Sequence, residues 1–381
     1  MALILFLLLS LCTTCCKADT RSKILPDEQH HFTGSDIIMV NNDFQCVDIY
    51  RQPSLQHPLL KNHKIQLYPT FAKNILQNRS SYGKTMNKCP EGKVPIYNKM
   101  GRRQIITNSS SKLQIDDFQQ YSQSAPGYHT VTLDTTQNMV FHGAYAGISG
   151  YDLSVEANQY SISSIWIESG PPTELNSIKV GVGVHQSLYG DSQLRLTSQW
   201  TVDGYKKTGC YNYLCSGFVQ VNHDKEYALG SLVTPVNSIG STEKVASFIK
   251  IKQDRSTGHW WLIIQLESIS VGYWPKELFN HLSKGASSIR FGGQTYSPPN
   301  KDSPPMGSGR LPKENFINSA FMMNLEIIDS EYNEVDVTDR DMKPYRDTNP
   351  ECYDLVYNGY QGSVYKQAFL YGGPGGRNCG T

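Results

Sequence analysis

The 381-residue sequence predicts an all-β fold, an antiparallel two-sheet β-sandwich preceded by a small cysteine-containing region. Three observations carry that prediction. The segment Ile178 to His185 alternates strictly, with Ile178, Val180, Val182 and Val184 on one side and Lys179, Gly181, Gly183 and His185 on the other. This is the two-residue period of a strand, with one core face and one open face. Similar short segments recur through the rest of the chain between turn residues, and helical periodicity is scarce.

Residues 1–18 open with the apolar run Leu3 to Leu9 and end in small and polar residues, which reads as a secretory signal peptide and predicts a secreted, extracellular protein. The run is much shorter than the ~20 residues that span a bilayer, so no membrane partner is expected once it is removed. Residues 19–127 form an amino-terminal region with its linker. Residues 19–45 read as a loose polar leader, and Leu59 to Ile65 as a short helix. The stretch from Asn108 to Gln123, followed by Ser124-Ala125-Pro126-Gly127, reads as the linker. Residues 128–381 then suffice for one large β domain. Its strands are predicted at Tyr160–Ile167, Ser177–His185, Gln193–Val202, Phe248–Lys252 and Trp260–Tyr273. Asp203-Gly204 and Asp254 to Gly258 sit where hairpin turns are needed. The best helix runs from Pro275 to Lys284, closed by Gly285.

A formal charge of +1 with no basic run excludes the electrostatic footprint of nucleic-acid or anionic-membrane binding. Of nine cysteines, Cys12, Cys15 and Cys16 leave with the signal. Cys46, Cys89, Cys210, Cys215, Cys352 and Cys379 remain, an even number that suggests disulfides, and spacing alone leaves their pairing open. Cys210 and Cys215 lack a second pair of ligands at metal spacing, so no metal is expected, and no cofactor. Asn78 and Asn108 are N-glycosylation acceptors in a secreted chain. No zincin, nucleophile-elbow or Walker signature occurs, and Gly181-Val182-Gly183 lacks the third glycine of a nucleotide fingerprint. His185 and His223 read as solvent-facing. Trp166, Trp200, Trp260, Trp261 and Trp274 read mostly as core.

Several segments, taken in order, resemble one family. They are Ser161 to Trp166, the strand around Lys179, Trp200 to Tyr205, Gly209-Cys210-Tyr211 through Gln220, Gly258 to Trp261, Val271 to Pro275, Phe291-Gly292-Gly293-Gln294 and Tyr371 to Gly375. Together they resemble the plant neprosin family, glutamic endopeptidases that cleave beside proline. Cys46 to Pro53 and His57 to His63 resemble that family's activation domain, so the similarity covers roughly residues 44 to 379. The resemblance implies a glutamic-peptidase-like sandwich, secretion to the wall or apoplast, and an activation segment removed near the linker. It also implies the pairs Cys46 with Cys89, Cys210 with Cys215 and Cys352 with Cys379.

A glutamic peptidase needs one ionised carboxylate to take a proton from the attacking water and a second group to stabilise the oxyanion. The resemblance places the two family glutamates at Lys179 and Gln294, and a supporting glutamine at Ser164. A neutral amide at Gln294 can still donate to an oxyanion. An ammonium with a reference pKa of about 10.4 is no base at acidic pH, even after a shift of about 3 to 5 units. Glu168, Glu174, Asp191, Asp203 and Glu267 are the nearby acids that could replace the base. The expectation is an inactive homologue whose glycines Gly181, Gly183, Gly292 and Gly293 leave a groove for an extended proline-containing peptide or cell-wall protein. An active acid peptidase with a relocated carboxylate is the alternative, and a structural or carbohydrate-associated wall protein is a third reading. An inactive protein would also keep its amino-terminal region, which could cap the groove.

Overall fold

The computed structural model describes residues 32–34, 43–72, 87–97, 126–264, 269–313 and 315–380. The signal segment, Asn78, Asn108, Glu267 and the linker up to residue 125 lie outside them. In chain order the amino-terminal strands are β1 (Phe32–Gly34), β2 (Phe44–Asp48) and β3 (Lys93–Tyr97). Then come β4 (Tyr128–Thr135), β5 (Gly143–Ile148), β6 (Tyr160–Ser169), β7 (Asn176–His185) and β8 (Arg195–Thr201). Short strands β9 (Cys210–Tyr211) and β10 (Val219–Gln220) precede β11 (Lys244–Gln253), β12 (Trp260–Ile264) and β13 (Ile269–Trp274). The chain closes with β14 (Ser288–Tyr296), β15 (Ala320–Ile328), β16 (Glu334–Asp336), β17 (Met342–Arg346), β18 (Asp354–Tyr360) and β19 (Gln367–Gly372).

Two large sheets hold most of these strands. One runs in the order β17-β4-β14-β6-β7-β8-β9, and the other β10-β13-β12-β11-β5-β15-β19-β18, with β1 and β16 alongside. Pairing within both is antiparallel apart from β1 on β11, so the sandwich expectation holds. The alternating apolar residues explain why. Ile165 and Ile167 of β6 and Ile178, Val180, Val182 and Val184 of β7 enter the central core beside Ile249 and Ile251 of β11 and Leu262 of β12. Each such side chain contributes roughly 1.5–3 kcal/mol on leaving water.

Both expected hairpin turns form. The Asp203 carboxylate accepts from the amides of Lys206, Lys207 and Thr208, and Asp254 from those of Ser256 and Thr257. The three disulfides pair Cys46 with Cys89, Cys210 with Cys215 and Cys352 with Cys379, as the resemblance implied.

The two helix expectations are corrected. Residues 275–284 form two 3-10 turns, Lys276–Leu278 and Leu282–Lys284. The Asn176 side chain captures the amides of His281 and Leu282, and the Trp260 indole donates to the Leu282 carbonyl, which removes the groups a continuous helix would use. Near Leu59 the chain makes 3-10 turns at Pro53–Gln56 and Pro58–Leu60, each opened by a proline that lacks an N–H. The predicted strand from Trp260 to Tyr273 is instead the hairpin β12–β13, and the leader is not wholly loose, because β1 adds to β11.

The amino-terminal strand pair β2–β3 and the turns that lie between its two strands in the chain dock on the second sheet, covering its outer face. Ile65 packs there against Val219, Trp261, Ile263 and Tyr273. Gln52 donates to the Gln220 carbonyl and accepts from its amide, and Thr70 binds Asp254 through its amide and hydroxyl. These described parts lie away from Lys179 itself, but the segment's ends reach the same face farther along. Asp43 lies 4.0 Å from Arg195, which is opposite Gly183, the Tyr97 ring lies 5.4 Å from that guanidinium, and Phe44 and Tyr97 pack on Tyr189 just beyond β7. No helix among the described residues is long and apolar enough to cross a membrane.

Candidate functional site

The two-residue period of the first sheet builds the site. Antiparallel registers set Lys179 beside Trp166, Trp166 beside Arg290, Ser164 between Gly181 and Gly292, and Gln294 beside Ile162. On the flanking strands Gln199 lies opposite Lys179 and Thr130 opposite Gln294. All of these residues project to the face turned away from the central core.

Lys179 and Gln294 meet there. The Lys179 Nζ donates to Gln294 Oε1 at 3.1 Å and to the Tyr128 hydroxyl at 3.3 Å. Tyr128 donates to the same Gln294 oxygen at 2.8 Å, and Gln294 Nε2 reaches Gln199 Oε1 at 3.5 Å. The Nζ also lies 3.9 Å from the centre of the Trp166 ring, a cation–π contact, while the Trp166 indole N–H donates to Ser164 Oγ at 2.7 Å. Ser164 thus orients the ring on which the lysine rests.

This face is buried, contrary to the open-face expectation: Lys179 is 2% exposed and Gln294 1%. Tyr128, Tyr160, Ile162, Tyr211 and Tyr296 cluster on it, and the Tyr205 ring lies 5.4 Å from the lysine Nζ. The groove reading of the glycines is corrected with it. A Cβ at Gly181 would meet the Ser163 carbonyl at 1.8 Å, one at Gly183 the Ile162 side chain at 2.6 Å, and one at Gly292 the Val131 carbonyl at 2.1 Å. These glycines permit close strand approach rather than opening a channel. Gly293 is on the opposite, inner face against Met306 and Tyr371, because adjacent strand residues point to opposite sides.

Burial dominates the electrostatics. Loss of hydration pulls the Lys179 ammonium down to about 7, with Glu168 opposing the fall and Arg290 adding to it. At acidic pH the lysine is charged, and it accepts no proton. His185, expected to face solvent, is buried, stacked on Tyr160 with ring centres 4.9 Å apart, and burial lowers it to about 3. His223 is exposed as expected.

Among the candidate acids, Glu168 shares this face, where its carboxylate accepts from the Ser177 hydroxyl at 3.0 Å and lies 4.0 Å from Arg290. Glu174 is exposed beside His281, Asp191 pairs with Arg195 at 2.7 Å, and Asp203 is consumed by its turn. Tyr128, Arg290, Asp134 and Asp347 were missed in the sequence. Arg290 binds Asp134 at 3.0 Å and the Thr132 hydroxyl at 3.0 Å, while Asp347 accepts from the Thr130 amide at 2.7 Å and burial raises its carboxyl. Even-numbered steps from Gln294 back to Arg290, and from Thr130 back to Tyr128, are the signal that could have found two of them. The arrangement offers several hydrogen-bond donors and, among the described residues, no carboxylate in contact with the Lys179–Gln294 pair. No group of metal ligands gathers on this face among the described residues.

Of the tryptophans, Trp200, Trp260 and Trp274 enter the central core, Trp261 lies under the amino-terminal segment, and Trp166 belongs to the site.

Comparison with known proteins adds the following. The Neprosin family model matches residues 157–374, more than half of the chain. A solved structure of scytalido-glutamic peptidase with a transition state analog inhibitor is 10% identical and covers 65% of this chain and 98% of its own, at a TM-score of 0.36. A second, SCP-B of the Eqolisin family of peptidases with the tripeptide Ala-Ile-His, is 10% identical and covers 64% and 96%, at a TM-score of 0.31. Overlaps this loose carry no residue correspondence.

Proposed function

The chain belongs to the neprosin family, and from that premise we propose that it is a secreted member that no longer hydrolyses peptide bonds. The observation that carries this reading is the contact between Lys179 and Gln294: where the resemblance calls for two carboxylates, an amine donates to an amide oxygen at 3.1 Å. Water attack needs a proton acceptor, and a lysine charged below about pH 7 supplies none at acidic pH. Its tyrosines are buried against one another and its donors are taken within the face, so binding of a proline-containing peptide or wall protein without cleavage would require this cover to open.

The test is restoration. The double variant Lys179→Glu with Gln294→Glu should gain cleavage of a proline-containing peptide at acidic pH, read by mass spectrometry. No gain in a folded double variant would count against the reading. Glu168 is the acid of this face to change if the unaltered protein proves active, because it already lies within the field of Lys179. Loss of that activity in Glu168→Gln would make Glu168 the replacement base.

A further inference from the structure

Far from Lys179, three side chains converge from segments that the chain keeps well apart. His63 follows the proline-led turns of the amino-terminal segment, His259 lies just before β12, and Glu277 lies in the turn after β13. Glu277 Oε2 is 3.9 Å from Nδ1 of His63 and 3.9 Å from Nδ1 of His259, and all three ligand atoms lie within 4.8 Å of one another. Those separations are too long for hydrogen bonds. They suit donors that share one ion, since zinc holds imidazole nitrogen and carboxylate oxygen at about 2.0–2.2 Å and the set needs only small side-chain shifts to close on it.

The surroundings favour the ligand forms. His63 Nε2 lies 2.7 Å from the Tyr273 hydroxyl, which also accepts from the Gln66 amide at 2.9 Å. With the proton on Nε2, His63 donates to Tyr273 and turns the Nδ1 lone pair toward Glu277, the outer support that metal-binding histidines use. His259 stacks on the same tyrosine with ring centres 4.9 Å apart. Burial disfavours the charged form of both rings, against the opposing pull of the Glu277 carboxylate. The side chains of His63 and His259 are 5% and 9% exposed while that of Glu277 is 40% exposed, which leaves water access on one side for a further ligand. One group competes: the Lys276 amide donates to His259 Nδ1 at 3.2 Å and would pass to solvent on binding.

We propose that His63, His259 and Glu277 bind a divalent transition-metal ion of the zinc class and so clamp the amino-terminal segment to the β12–β13 hairpin. Two ligands come from the sandwich and one from the segment docked on it, so the ion would add to the Thr70–Asp254 and Gln52–Gln220 ties.

Cobalt(II) titration of the full-length, disulfide-bonded protein tests the site, with visible absorption as the readout and zinc(II) as competitor. One saturable equivalent displaced by zinc is expected, with affinity reduced about tenfold or more in Glu277→Gln and in His63→Gln. His223→Gln, at an exposed histidine elsewhere, should bind as the parent does. Zinc should also raise the melting temperature of the parent and not that of Glu277→Gln, whose partly exposed position makes misfolding a poor explanation. No saturable cobalt binding, or binding unchanged in Glu277→Gln, would overturn the proposal.

Discussion

The two faces of the first sheet are both buried, yet they are built from opposite chemistry. The inner face carries Ile165, Ile167, Ile178 and Val180, and water exclusion alone accounts for it. The outer face of the same strands carries Ser164, Lys179, Gln294, Arg290 and Glu168, and its burial is tolerable only because each of these has a polar partner. A face needed for folding alone has no use for a buried lysine, since well-packed apolar residues would do as well or better there. The contrast marks the outer face as the one whose residues need an explanation beyond folding.

Deleting side chains from each face tests the comparison. On the inner face, Ile178→Ala removes a fully buried side chain and should cost about 2–5 kcal/mol in urea denaturation. A cost below 1 kcal/mol would mean that the core can collapse around the gap.

Next comes Lys179→Met, whose effect depends on pH. Burial takes the folded-state pKa from 10.5 to about 7. Between those values the unfolded chain holds a proton that the folded protein sheds, so stability rises with pH across that window and is lowest below it. The variant should flatten the slope between pH 7 and 10.5 and gain about 2 kcal/mol at pH 6, with Tyr128 still donating to Gln294. An unchanged slope would show that the lysine is solvated in solution.

Smallest is Ser164→Ala, which leaves the buried Trp166 indole N–H without its acceptor and should cost about 1–2 kcal/mol, also by urea denaturation. A near-zero cost would mean that Trp166 finds another partner.

The inner face was legible because strict alternation from Ile178 to Val184 needs no tertiary knowledge, and Asp203-Gly204 and Asp254 to Gly258 declared their turns through side-chain and glycine chemistry. The disulfides came from resemblance and not from spacing. Burial of the outer face was not legible: polar residues on alternate positions look the same whether solvent or tyrosines lie above them. Arg290 and Asp134 escaped notice because they meet only when β14 and β4 pair, 156 residues apart in sequence. Gly292 and Gly293 were read together, although neighbouring strand residues belong to different faces. The helix expected at Pro275 to Lys284 failed through a tertiary competitor, the Asn176 side chain, which no local pattern reveals. His63, His259 and Glu277 follow no metal spacing in the sequence and come together only when the amino-terminal segment docks.

The central claim is the loss of hydrolysis at the Lys179–Gln294 face, and digestion tests it most directly. A proline-rich protein would be incubated at acidic pH with the purified, disulfide-bonded chain, and both substrate and protein followed by mass spectrometry. The account predicts an intact substrate and an intact amino-terminal region. Specific cleavage beside proline, absent from a mock preparation, would contradict it.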